Sequence, residues 1–211
     1  MKTVLFDLFG TLTTGVANPE ARIIESYGLS FDELFVEKFV CGTKFTDQAS
    51  YLKKVIEGIG LEYSPENVER VSVILAAEIA KERILEDCES VLKRFKDAKY
   101  RIGLISNAPN PDYDMISSNG LKDYFDSVIF SYELGLFKPG KEIFERALKE
   151  LNAEPNAALM VGNSMKSDMV GARNAGIDGI LISADDVMTS GVIVVHRLAD
   201  VFEAAERYFQ G

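Results

Sequence analysis

Met1-Lys2-Thr3-Val4-Leu5-Phe6-Asp7-Leu8-Phe9-Gly10-Thr11-Leu12 opens the chain, and its apolar run is broken at residue 7 by an acid. Val4, Leu5 and Phe6 read as a buried strand, far too short for a membrane. A carboxylate at the end of such a strand stands at the rim of the sheet, where open α/β folds bind their ligands. Gly10 lets the chain turn close to whatever Asp7 meets.

Outward from this stretch, strand-like runs recur at 101–105, 127–130, 157–161 and 179–182. Helical spacing of apolar residues fills 111–119, 141–151 and 167–175 between them. Strand alternating with helix predicts a doubly wound, Rossmann-like parallel sheet with helices on both faces. An edge strand at 192–195 and a closing helix at 198–209 follow. The interval between the first two strands is different. Helical patterns cover 18–27, 31–41, 46–59 and 65–85, and 89–98 leads back to the sheet. Asn18-Pro19 and Ser64-Pro65 each supply a capping side chain followed by proline in the first turn. The chain thus divides into an α/β core (1–14 and 85–211) and an inserted helical lid (15–84).

The 211 residues are 47% hydrophobic and 27% charged, an ordinary balance for a soluble domain with a sizeable core. A net charge of −10 speaks against nucleic acid and anionic membranes as partners. Two cysteines and one histidine exclude a disulfide framework and make a zinc site untenable. Asp7 would sit inside the apolar core of any secretory leader, so a cytoplasmic location is expected. The expected partner is a small anionic substrate, and the protein is expected to be a monomer or homodimer.

Four strand ends point at one spot. Asp7 ends the first, Ser106-Asn107 the second, Lys138 follows the third, and Gly162-Asn163 with Asp168 follows the fourth. A carboxylate can attack an electrophilic centre and form a covalent intermediate that water then cleaves. A hydroxyl at Ser106 and a cation at Lys138 would hold an anion and keep Asp7 ionised.

This constellation resembles the haloacid dehalogenase superfamily of aspartate-nucleophile hydrolases. The resemblance rests on Phe6-Asp7-Leu8-Phe9-Gly10-Thr11-Leu12, Leu104-Ile105-Ser106-Asn107, Gly135-Leu136-Phe137-Lys138-Pro139-Gly140 and Met160-Val161-Gly162-Asn163 through Asp168. It covers the whole chain. It implies Asp7, Ser106, Lys138 and Asp168 as catalytic residues and the 15–84 insert as the superfamily's first cap type. It implies Phe9, Gly10, Thr11, Asn107, Lys38 and Lys44 around the substrate, with Lys44 on the loop that reads the leaving group in capped relatives. It also implies Mg²⁺ held by Asp7, the Phe9 carbonyl, Asn163 and Asp168.

Two positions depart from the pattern. Phosphatases of the superfamily carry a second aspartate two residues after the nucleophile, as general acid; here that residue is Phe9. Asn163 stands where they place a metal-binding aspartate, and its amide oxygen brings no charge. Both departures resemble the dehalogenase branch, whose halide leaves without a proton and without metal. Against that branch, the insert has no arginine between Arg22 and Arg70 to grip a substrate carboxylate. The expectation is therefore a phosphohydrolase acting on good leaving groups. Metal-free 2-haloacid dehalogenation is the alternative. A catalytically weak anion- or partner-binding member is the second alternative.

Overall fold

β1 (Thr3–Phe6) is buried along its whole length and lies at the centre of a parallel sheet. The computed structural model describes residues 1–30, 40–108, 114–185 and 188–211. After β1 come helices α1 (Pro19–Ser26), α2 (Gln48–Gly58), α3 (Pro65–Ile79) and α4 (Cys88–Asp97). Strand β2 (Arg101–Ser106), the short α5 (Met115–Ser118), β3 (Ser127–Phe130), the single turn α6 (Ser131–Leu134) and α7 (Lys141–Glu150) follow. The chain closes with β4 (Ala158–Gly162), α8 (Gly171–Asn174), β5 (Asp178–Ile182), β6 (Val192–Val195) and α9 (Val201–Gln210).

The strand order is β3-β2-β1-β4-β5-β6. From β1 the chain winds outward to β3, then returns to β4 on the other flank of β1. That reversal opens a crevice beyond the carboxyl end of β1. The register fixes what lines it. Phe6 pairs with Leu104 on one side and Val161 on the other. Asp7 is therefore level with Ile105 and Gly162, and Ser106 lies one residue beyond.

Side chains alternate across the sheet. Val4 and Phe6 join Val91, Leu92 and Phe95 of α4 and Val201 and Ala205 of α9 on one face. Leu5 joins Ile143, Phe144 and Ala147 of α7 on the other. The helices between β1 and α4 have a core of their own, with Ile23, Phe45, Tyr51, Val55, Ile56 and Leu75. Side chains of Asn18, Asp47 and Ser64 accept from the first-turn amides of α1, α2 and α3. Such caps are worth about 1 kcal/mol each.

Two helical expectations are altered, and two fall partly outside the described residues. The 65–85 pattern stops at Ile79, because the following chain runs back alongside the outgoing one: Thr13 bridges Ile84, and Leu85 N–H donates to Leu12 O at 3.0 Å. The 167–175 pattern becomes a π-helical turn, Met165–Val170, feeding α8. Such wide turns recur at functional sites. Of the 111–119 helix, Met115–Ser118 is present and 109–113 lie outside the described residues, as do 31–39 of the expected 31–41 helix.

Candidate active site

Asp7 leaves the end of β1 with its backbone N–H donating to Val161 O at 2.9 Å, which ties residue 7 to β4. Its carboxylate meets two donors. Lys138 Nζ lies 2.5 Å from Oδ1, and Thr11 Oγ1 donates to Oδ2 at 3.2 Å. Lys138 Nζ also donates to Asp168 Oδ1 at 2.7 Å. All three charged groups are buried. Burial alone pushes the Asp7 carboxyl up and Asp168 adds to this, while Lys138 pulls it down, and the balance is about 6. For Lys138 burial disfavours the charge, but the two carboxylates outweigh it and hold the ammonium above its ordinary value.

Asp168 is fully engaged. Its second oxygen accepts the Ser164 N–H at 2.9 Å, an interaction set up by the π-helical turn. A Cβ on Gly162 would stand 2.3 Å from Asp168 Oδ2, so a side chain there would displace that carboxylate. Both oxygens of Asp168 thus accept hydrogen bonds, one of them from Lys138.

Asn107 braces the backbone of Lys138. Its Nδ2 donates to Lys138 O at 2.9 Å, and its Oδ1 accepts from Lys138 N at 2.8 Å. The amide thus grips the peptide of Lys138 from both sides and aims the ammonium. Ser106 Oγ, at the rim of β2, is a buried side-chain polar atom left without a partner among the described residues. Such an orphan is costly unless a ligand or water completes it.

Gly10 adopts a left-handed backbone (φ +78°), and a Cβ there would lie 2.2 Å from Asn163 Nδ2. The turn after Asp7 and the turn after β4 are thus in direct contact. Thr11 Oγ1 also approaches Asn163 Oδ1 at 3.4 Å, so oxygens of Asp7 and Asn163 converge on one hydroxyl. Phe9 is half-buried against the α4 side of the core. Lys44 is exposed on a loop that abuts Gly135, where an added Cβ would be 3.5 Å from Lys44 N. Lys38 lies outside the described residues.

Among the described residues no group of three acidic, histidine or cysteine side chains is arranged to hold a metal. A carboxylate, an amide oxygen and a backbone carbonyl are nonetheless hard oxygen donors of the type Mg²⁺ takes. Asp7, Asn163 and Phe9 O fit that ion with a single formal charge. Ser164 and the bracing role of Asn107 escaped the sequence reading. Ser164 carries the one local signal that could have found it, a serine positioned to cap the next turn, where its Oγ accepts from Ser167 N–H.

Comparison with known proteins agrees with this architecture. The profile of the haloacid dehalogenase-like hydrolases matches residues 1–176. A glyceraldehyde 3-phosphate phosphatase of Pyrococcus abyssi is 32% identical over 191 residues, covering 84% of this chain and 79% of the relative. Its counterpart from Methanothermobacter thermautotrophicus is 37% identical over 97 residues, 46% of this chain and 43% of that protein. In structure, a 2-haloacid dehalogenase from Pseudomonas syringae superposes with a TM-score of 0.69 at 21% identity, covering 99% of each chain, which speaks for the fold alone. With a matching profile over most of its length and four strand ends meeting at Asp7, the chain belongs to the haloacid dehalogenase-like hydrolases, and it is a hydrolase.

Proposed function

We propose that the protein hydrolyses small phosphorylated metabolites through a covalent adduct on Asp7. The observation that carries this is the Ser106 hydroxyl, unpartnered among the described residues, at the same rim as the buried Asp7–Lys138 pair. A phosphoryl oxygen would satisfy that donor and share the Lys138 ammonium. The Asp7 carboxylate attacks phosphorus, and the bond from phosphorus to the leaving oxygen breaks with its electron pair on that oxygen. Water then attacks the aspartyl phosphate at phosphorus, releasing inorganic phosphate and restoring Asp7. Asp168 and Asn107 hold Lys138 in place throughout. Asp7, Phe9 O and Asn163 would hold Mg²⁺, which when bound offsets charge on the phosphoryl oxygens. Residues 15–84 act as a lid that excludes bulk water, and Lys44 faces the leaving group from it.

Phe9 sets the substrate class. With no acid at that position the leaving oxygen departs as its anion, which favours acyl phosphates, aryl phosphates and phosphoanhydrides over alkyl phosphates. The relatives' names suggest glyceraldehyde 3-phosphate as the alkyl ester to compare. Phosphate release is measured from acetyl phosphate, p-nitrophenyl phosphate and glyceraldehyde 3-phosphate, with Asp7→Asn as control. Turnover should rise steeply as leaving-group pKa falls and vanish in the variant; equal turnover of all three overturns the leaving-group account.

Phe9 and Asn163 also favour a second reading, metal-free dehalogenation. Chloride release from 2-chloropropionate with no added metal, and no phosphate release from any ester, would establish it in place of the first. Anion binding without turnover would mark a catalytically weak binding protein.

A further inference from the structure

The two chain segments that join the sheet to the helical insert are clamped by one carboxylate. Glu82, on the returning segment, is buried. Its Oε1 accepts from Thr14 Oγ1 at 2.8 Å and from Gly15 N–H at 2.5 Å, and its Oε2 accepts from Ala17 N–H at 2.9 Å. Burial pushes the Glu82 carboxyl up, but hydrogen bonds from the outgoing 13–17 segment outweigh it and leave the group below its ordinary range. The carboxylate is thus ionised at neutral pH and committed to that segment.

What Glu82 holds lies directly on the active site. Gly15 has φ +65°, and a Cβ on it would stand 2.5 Å from Gly10 Cα and 2.8 Å from Gly10 N. Gly10 in turn rests on the Asn163 amide, at the distance already given. Gly15, Gly10 and Asn163 therefore stack with no side-chain atom between the two glycines. Thr13, in the same segment, accepts the Gly10 N–H on its hydroxyl at 3.4 Å. Interfaces packed this closely shift between discrete arrangements and do not deform smoothly.

We infer that Glu82 is a positioning residue for catalysis: by fixing residues 14–17 it seats Gly15 on Gly10 and so sets the turn between Asp7 and Asn163. The inference rests on the proposed phosphohydrolase reading for its kinetic consequence, but not for its structural one. Glu82→Gln keeps the volume and turns one acceptor into a donor that faces an N–H or the Thr14 hydroxyl. Thr14→Val removes one of the same bonds from an exposed side chain. Misplacement of reacting groups from a distance acts on the chemical step.

The test measures kcat and KM with acetyl phosphate, melting temperature, and amide hydrogen exchange at Gly10 and Gly15. For folded Glu82→Gln we expect kcat to fall about tenfold, KM to stay within about twofold, and exchange at both glycines to quicken while the sheet stays protected. Gly15→Ala should show the same kcat loss, and the double variant should lose no more than either alone, because both act through one contact. Unchanged kcat and unchanged glycine exchange in folded Glu82→Gln overturn the inference. Should that variant not fold, a folded Thr14→Val with full kcat and wild-type glycine exchange overturns it too. A wild-type protein with no phosphatase turnover, in which Glu82→Gln still loosens Gly10, sinks the functional reading and leaves the coupling standing.

Discussion

Lys138 Nζ sits 2.5 Å from Asp7 Oδ1, and both side chains are almost wholly withdrawn from water. The same ammonium holds Asp168, so one cation neutralises half of a buried pair of carboxylates. Such a group is strongly interdependent: each member is tolerable in the interior only because of the others.

Removing the cation should therefore cost more than an ordinary surface lysine. Lys138→Ala leaves Asp7 and Asp168 facing one another without a counter-charge. The expected loss is about 3–5 kcal/mol near neutral pH, read by urea unfolding, together with loss of turnover. Without Lys138 the Asp7 carboxyl rises above its value of about 6, so the penalty should shrink as pH falls toward 6, where a proton replaces the missing charge in the variant.

The acid limb of kcat/KM should fall near pH 6. In the proposed reaction Asp7 attacks only as the carboxylate, and burial and Asp168 raise its pKa to about 6 against the pull of Lys138. Asp168→Asn removes a like charge and leaves Lys138 to Asp7 alone, so the limb should move to lower pH while kcat drops. A limb that stays in place, measured over a full pH profile of kcat/KM, contradicts this assignment.

Glu20 makes a separate pH prediction for stability. It is buried in the insert, accepts from Tyr51 Oη at 2.8 Å, and burial raises its pKa above the ordinary 4.5 despite that bond. The native state then binds the proton more tightly than the unfolded chain. This contribution is complete below pH 4.5 and is lost as pH rises through the raised native value. Glu20→Gln keeps the acceptor for Tyr51 and removes the titration. Its unfolding free energy should exceed that of the wild type at neutral pH and vary less with pH, as denaturant melts across the range would record.

Phe9→Asp places a proton donor two residues after Asp7. General acid help is worth roughly 10²–10⁴ in rate. Turnover of glyceraldehyde 3-phosphate should rise at least about tenfold, with acetyl phosphate far less affected. No gain in a folded variant speaks against the missing-acid account.

Asn163→Asp adds a second formal charge beside Asp7. Apparent Mg²⁺ affinity, titrated through phosphate release and independently by calorimetry, should tighten by about tenfold. An unchanged affinity would place the metal away from Asn163.

Much of the architecture was legible because it is written locally. The four-residue strand before Asp7, the switch to helical spacing after each strand, and the Asn-Pro and Ser-Pro helix starts each lie within a few residues of sequence. The boundaries blurred where long-range partners took over. The 65–85 helix ends early because Ile84 and Leu85 pair with Thr13 and Leu12, and no pattern within that helix announces it.

The linear order of residues was enough to determine a parallel α/β sheet, a helical insertion after its first strand, and an acid, a hydroxyl, a lysine and a second acid at successive strand ends. Only the folded chain decided who bonds to whom: that Asp168 supports Lys138, that Asn107 grips its peptide, and that Glu82 pins the segment resting on Gly10. The physical reason is separation. Periodicity is a property of neighbours along the backbone, whereas the Lys138–Asp7 and Glu82–Gly15 contacts join groups 131 and 67 residues apart and exist only once the sheet register and the packing of the insert bring them together.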